Sequence, residues 1–143
     1  MGGVVRERPD GRGNAAARWR ERAARVGERM AEELLRLRGF VILDRNVRSG
    51  RGEIDLIARE GETIVFVEVK LRSGGDTQSP LVAVNWKKRD DLERAATRWL
   101  QDKSLTSKPI RFDVVGVTLG TDGSQLRLEH VRNAFAGGGR HFY

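Results

Sequence analysis

Cysteine is absent from the 143 residues, so neither a disulfide nor a thiolate metal site can form. Histidine occurs only at His130 and His141, too few for a histidine-built zinc centre. No apolar run approaches the roughly 20 residues that a membrane-crossing helix needs. The N-terminal stretch, Met-Gly-Gly-Val-Val-Arg-Glu-Arg-Pro-Asp, lacks the apolar core of a signal peptide. A soluble, cytoplasmic protein is expected. Hydrophobic residues make up 38% of the chain, enough for one lean core in a single domain. Trp19, Trp86 and Trp99 lack the spacing of a base-stacking platform, and Trp99 reads as core.

What the chain does have is positive charge. The net charge is +7 and the sequence pI about 10.7. Such a balance favours polyanionic partners, nucleic acid first and an anionic membrane second. Residues 1–25 carry seven Arg against Glu7, Asp10 and Glu21, a net +4. More than half the excess thus sits at one end, where it serves either a nucleic acid or solubility alone.

Residues 1–13 are rich in Gly, Arg and Pro and are expected to be disordered. Asn14 is placed to cap a helix reaching about Arg38, with Ala23, Gly27, Met30, Ala31, Leu34 and Leu35 at helical spacing and Gly39 at the C′ position. Residues 40–43 suit a short strand, and Asp44 to Gly52 a basic loop carrying Arg45, Arg48 and Arg51. Two strands follow, over 52–58 and 64–70, turning near Glu60-Gly61-Glu62. Residues 71–79 read as a polar loop, and Ser79-Pro80 as the start of a helix to about Leu100 that buries Val84, Leu92, Ala95, Ala96 and Trp99. Strands are predicted over 110–119 and 125–129 with a turn at 121–124; residues 131–135 dock back and the tail from 137 to 143 is loose. The domain therefore spans residues 14–136. Its order, α-β-β-β-α-β-β, indicates an α/β fold with a mixed central sheet flanked by helices.

The chemistry concentrates in Gly-Glu-Ile-Asp-Leu-Ile-Ala (52–58) and Ile-Val-Phe-Val-Glu-Val-Lys (64–70). Side chains alternate along a strand, so Glu68 and Lys70 share a face with Ile64 and Phe66, while Val65, Val67 and Val69 point the other way. A strand apolar on both faces is central in its sheet. If the turn is the two residues Gly61-Glu62, Asp55 lies opposite Glu68; shifted by one residue, it becomes a diagonal neighbour. Either way the two carboxylates come within roughly 5–8 Å. They repel unless a proton or cation lies between them. Oxygen ligands suit Mg2+ or Mn2+, which take one or two carboxylates with waters and phosphate oxygens. Lys70 is placed to orient a water or neutralise a phosphate. These are the parts for metal-assisted phosphodiester hydrolysis. The alternative is a hairpin with a Lys–carboxylate pair and no metal.

Asp55 followed by Glu68-Val69-Lys70 resembles the PD-(D/E)xK motif of the restriction-endonuclease-like nuclease superfamily, with Ile54 where that name has Pro. The chain resembles the YraN-like family of uncharacterised bacterial proteins more closely. Gly27-Glu28 with Ala31 and Leu35, Arg45-Asn46 with Arg48, and the 52–58 run carry that resemblance. So do Phe66 to Lys70 with Arg72, Lys88 with Leu92 and Ala96, and Arg111-Phe112-Asp113-Val114-Val115, over about residues 26–135. The first helix and hairpin are also similar to archaeal Holliday-junction resolvases.

The superfamily resemblance implies a restriction-endonuclease-like fold, Asp55 and Glu68 as metal ligands, and Lys70 as the catalytic lysine. The resolvase resemblance adds Glu28 as a further carboxylate near the metal; by pattern alone Glu28 is a helix-flank residue. Arg45, Arg48, Arg51, Arg72 and Lys88 are the candidate phosphate contacts, although Lys87-Lys88-Arg89 also reads as a solvated helix face. Gly27 suits close packing of helix on sheet, Asp113 a structural salt bridge with Arg111, and Glu53 support for Asp55. The expected activity is Mg2+- or Mn2+-dependent cleavage of DNA, branched or otherwise structured. An adaptor that binds nucleic acid without turnover is the alternative, and a protein–protein module is a third class. No membrane partner is expected, and a homodimer stays open.

Overall fold

A computed structural model describes residues 11–73, 86–120 and 126–135. The chain forms α1 (Gly11–Leu37), β1 (Val41–Ser49), β2 (Gly52–Glu60), β3 (Thr63–Ser73), α2 (Trp86–Asp102), β4 (Ile110–Leu119) and β5 (Leu126–Val131). The five strands make one sheet in the order β1-β2-β3-β4-β5. β3 and β4 run parallel and every other neighbouring pair antiparallel. The fold is α/β with a mixed sheet.

The alternation along β3 decides how the two helices are used. Ile64 and Phe66 pack with Leu92, Ala95, Ala96, Trp99 and Leu100 of α2. Val65 and Val67 pack with Ala31 and Leu35 of α1, and with Val115 and Val117 of β4. Each helix thus covers one face. α1 stops where expected: Gly39 adopts φ +88° and the Phe40 N–H returns to the Leu35 carbonyl at 3.0 Å. Residues 131–135 dock as expected, with the Ala134 N–H on the Phe112 carbonyl (2.7 Å) and the Phe135 ring stacked on Phe112.

Several boundaries differ from the sequence reading. α1 begins at Gly11, so Asn14 lies inside it and caps nothing. The region read as a basic loop is mostly strand: β1 runs to Ser49 and only Gly50-Arg51 turns. Its polar pattern hid it, because an edge strand needs one apolar face and gains its order from the ladder with β2. β3 likewise continues to Ser73, its Leu71 packed on the α1 side. α2 runs to Asp102, two residues past its expected end near Leu100, and β5 continues to Val131, past the expected end at Glu129, while residue 125 lies outside the described residues. The expected N-terminal tail up to residue 10, the Ser79-Pro80 helix start with Val84, the turn at 121–124 and the C-terminal tail lie outside the described residues.

Candidate active site

Asp55 sits where the β2–β3 ladder ends and the β1–β2 ladder misses one pair. The β2–β3 turn is Gly61-Glu62, and pairing runs from Glu60–Thr63 to Leu56–Val67 and stops. On the other side, β1 and β2 pair at Arg45–Leu56 and again at Val47–Ile54, skipping Asn46 and Asp55. Asn46 has φ +48°, a left-handed conformation that Asn tolerates better than most residues. The side-chain alternation of β2 slips at the same place. Leu56 and Ala58 face α1, whereas Ile54 joins Ile57 on the α2 side. The Asp55 carboxylate fills the resulting fork: its Oδ2 accepts the Val69 N–H at 2.7 Å. In an uninterrupted ladder that N–H would serve the backbone of β2.

Glu68 and Lys70 leave β3 on one face, and Lys70 Nζ lies 3.0 Å from Glu68 Oε1. The Glu68 side chain is only 6% exposed and that of Lys70 20%. An ammonium therefore stands beside Glu68 and offsets its charge.

Glu28 approaches from α1 on the other side of the fork. Burial, the charge of Glu53 beside it, and an opposing hydrogen bond from the Asn46 side chain together push its carboxyl above the usual glutamate range. Glu53 is itself exposed and loosely paired with Arg48 at 3.6 Å. Glu28 is thus associated with Asn46 and Glu53, Glu68 with Lys70, and Asp55 with the Val69 N–H at the end of the β2–β3 ladder. Among the described residues no three His, Asp or Glu side chains are gathered tightly enough to hold a metal unaided.

Asn46 escaped the sequence reading as a site residue. The only signal for it was an Asn in an Arg-Asn pair ahead of the Asp55 strand. Its importance comes from a backbone angle and a cross-element contact that no spacing reveals.

The basic candidates separate. Arg45 is exposed but bound to Glu32 of α1, its Nε 3.0 Å from Oε2, which braces β1 to the helix. That bond is the foremost cause of a Glu32 carboxyl held below its ordinary value. Arg48 points outward beside Glu53, and Arg51 is exposed in the β1–β2 turn. Arg72 is half-buried on β3 two residues past Lys70. Lys88 belongs to the first turn of α2, its side chain outside the described residues. Arg89 corrects the reading of 87–89 as a solvated face. It is buried, paired with Glu93 at 3.1 Å, and lies over the Phe135 ring. Trp99 is core, its Nε1–H donated to Asp44 Oδ2 at 3.0 Å.

Asp113 is a structural residue, as its pairing with Arg111 suggests. Arg111 donates through Nε (3.0 Å) and Nη2 (3.2 Å), and the Asn133 N–H adds a bond of 2.9 Å. His130 completes the set. Arg38 Nη1 lies 2.9 Å from its Nδ1, and a guanidinium only donates, so Nε2 carries the proton and gives it to Asp113 Oδ2 at 2.8 Å. Burial alone would raise the Asp113 carboxyl; His130, Arg111 and the Asn133 N–H outweigh it and hold the group below its usual value.

Residues 27–117 match the sequence pattern of the uncharacterised protein family UPF0102, the YraN-like family. A UPF0102 protein of Dictyoglomus turgidum is 39% identical over 111 residues, covering 78% of this chain and 94% of that protein. One from Rhodococcus jostii is 46% identical over 109 residues, 76% of this chain and 92% of that protein. One from Anaeromyxobacter dehalogenans is 46% identical over 121 residues, 85% and 89% respectively.

Proposed function

We propose that this chain, which belongs to the uncharacterised protein family UPF0102, is a metal-dependent nuclease that hydrolyses phosphodiester bonds in DNA. Its main support is the fork between β2 and β3, where the Asp55 carboxylate is pinned by the Val69 N–H beside the buried Glu68–Lys70 pair. A structural salt bridge does not need the β2–β3 ladder to end beside it, a left-handed Asn on the next strand, and a second carboxylate held in the gap. Strain and buried charge kept together at one place favour function.

The donor set fits a hard divalent ion. Asp55 and Glu68 offer oxygen only, and the chain has no thiolate to offer a softer metal. Mg2+ needs one or two carboxylates, taking its remaining ligands from water and substrate phosphate, so a preformed three-carboxylate cage is not required. When bound, such an ion supplies Lewis-acid polarisation of the phosphoryl group and a more acidic water. The Val69 N–H fixes the Asp55 carboxylate before substrate arrives. Lys70 neutralises Glu68 in the resting protein, and can swing its ammonium toward a water or a phosphoryl oxygen once Glu68 is engaged elsewhere. Exposed Arg48 and Arg51 flank the same end of β2 and hold the phosphate backbone without reading sequence.

The test is a cleavage panel of single-stranded, duplex, flapped and four-way DNA with Mg2+ or Mn2+, using the wild type and Asp55→Asn. Metal-dependent nicking lost in the variant is expected. DNA binding without cleavage of any member by the wild type would replace the nuclease with a binding or adaptor protein.

A further inference from the structure

Among the described residues, the first half of α1 stands clear of the rest of the fold. Residues 13–22 are all exposed, and the first residue described as buried in the helix is Gly27. The family pattern also starts at Gly27, so the preceding sixteen residues of α1 project ahead of the matched region.

This projection carries an ordered surface. Arg18, Arg22, Arg25 and Arg29 recur at intervals of four, three and four, which places them on one stripe, roughly opposite the side on which Gly27 and Ala31 are buried. The stripe is about 16 Å long. Among the described residues none of the four has an ion-pair partner, whereas Arg36, further along the same side, is bound to Glu32 at 2.8 Å. Beside the stripe stands Trp19, 70% exposed, and Ala15, Arg18, Trp19 and Arg22 line an open groove.

Solubility explains the arginines but not an indole set among them. An indole face stacks on a nucleic-acid base, and guanidinium groups bind phosphate. A duplex keeps its base faces stacked inside, while a single strand presents them. A lipid surface would need a broad apolar face, and Ala15, Trp19 and Val26 make only a narrow ridge. We infer that the projecting half of α1 is an arm for single-stranded nucleic acid, with Trp19 stacked on an unpaired base and Arg18 and Arg22 on the flanking phosphates. This rests on the nucleic-acid reading above and narrows it to substrates with an unpaired portion; it does not depend on the metal site.

The test measures binding alone, in EDTA. Anisotropy of a labelled oligothymidylate and of a duplex of equal length is followed over a salt series. The proteins are the full chain, Trp19→Ala, Trp19→Phe and the double variant Arg18→Ala with Arg22→Ala. Trp19→Ala should weaken single-strand binding at least about fivefold, with duplex binding changed less than about twofold and Trp19→Phe largely restored. The double variant should lower the single-strand salt slope by roughly 1.4, two phosphates at about 0.7 each. Unaltered melting temperatures establish that the exposed substitutions spare the fold. If the wild type binds DNA but Trp19→Ala binds the single strand equally well, the arm is overturned and the nucleic-acid reading stands. If the wild type binds neither DNA, both fall. Binding to phosphatidylserine vesicles that requires Trp19, with no effect of Trp19→Ala on DNA, would make the arm a membrane device and overturn the inference.

Discussion

The backbone N–H of Val69 is held by Asp55 Oδ2 at 2.7 Å across the point where β2 and β3 part. One side-chain oxygen thereby performs a task that a backbone carbonyl performs elsewhere in the sheet. The bond separates two roles of the same residue. Asp55→Asn keeps an acceptor oxygen and should alter stability by less than about 1 kcal/mol, while Asp55→Ala strands a donor in a half-buried gap and should cost about 1–3 kcal/mol. Urea unfolding of the two variants checks this. Equal losses would mean that the Val69 bond contributes nothing to the fork.

Glu68 and Lys70 make the complementary case. With Lys70 Nζ 3.0 Å from a nearly buried carboxylate, Glu68→Gln should destabilise the protein by about 1–3 kcal/mol, because it replaces a charge-assisted, largely buried ion pair by a neutral contact. Added Mn2+ should raise the melting temperature of the wild type, and should fail to do so for Glu68→Gln or Asp55→Asn. Thermal melts with and without millimolar Mn2+, repeated with an uncleavable DNA bound, measure both effects. A wild type indifferent to Mn2+ even with DNA present would leave Glu68–Lys70 as a structural pair.

Two glycines that look alike in sequence should behave oppositely. A Cβ on Gly52 would lie 2.3 Å from the Asp91 carbonyl oxygen and 3.0 Å from Ala95 Cβ, so β2 and α2 touch backbone to backbone there. Gly52→Ala must push the helix away and should cost about 1–3 kcal/mol or more. A Cβ on Gly27 would meet Leu71 Cδ1 at 3.4 Å, an ordinary contact. Gly27→Ala should therefore be neutral or stabilising by up to about 1 kcal/mol, the difference in helix propensity. Chemical denaturation ranks the pair, and the reverse order would contradict the packing.

That contrast shows how much of the molecule was legible in the sequence. β3 and β4 could be read because apolar alternation is strong in central strands, and Gly39 because a left-handed residue ends α1. The face shared by Glu68 and Lys70 followed from a period of two. Close approach of Gly52 to α2 could not be read, since it depends on where a distant helix lands; the helix-on-sheet packing suggested for Gly27 is the looser of the two contacts. β1 was misjudged beyond Leu43 because its order comes from pairing with β2, which composition does not encode. Arg89 looked solvated for the same kind of reason: Glu93 and Phe135, which accept its charge, are brought together only by the fold. His130 gave no local sign that it would reach Asp113.

The carboxyl of Glu28 gives the site a pH signature. Burial and the neighbouring Glu53 raise its pKa in the folded protein, and the Asn46 hydrogen bond offsets this only in part. A carboxyl with a raised folded pKa contributes stability below its unfolded pKa, near 4.3, and loses it as pH rises through the folded value. At neutral pH ionised Glu28 is therefore a cost, and Glu28→Gln should be the more stable protein there. The gain should stay below about 1 kcal/mol, because the group is only partly buried, and should vanish below about pH 4, where both forms are uncharged. Thermal melts across this range measure it; a variant less stable than wild type at neutral pH would show that the Asn46 bond outweighs the repulsion. Metal then asks a separate question of the same pair. If Glu28 helps to hold the ion, millimolar Mn2+ with uncleavable DNA should stabilise the wild type more than Glu28→Gln and reverse their order. An order unchanged by Mn2+, in a wild type that Mn2+ does stabilise, would remove Glu28 from the metal set and leave Asp55 and Glu68 to hold it.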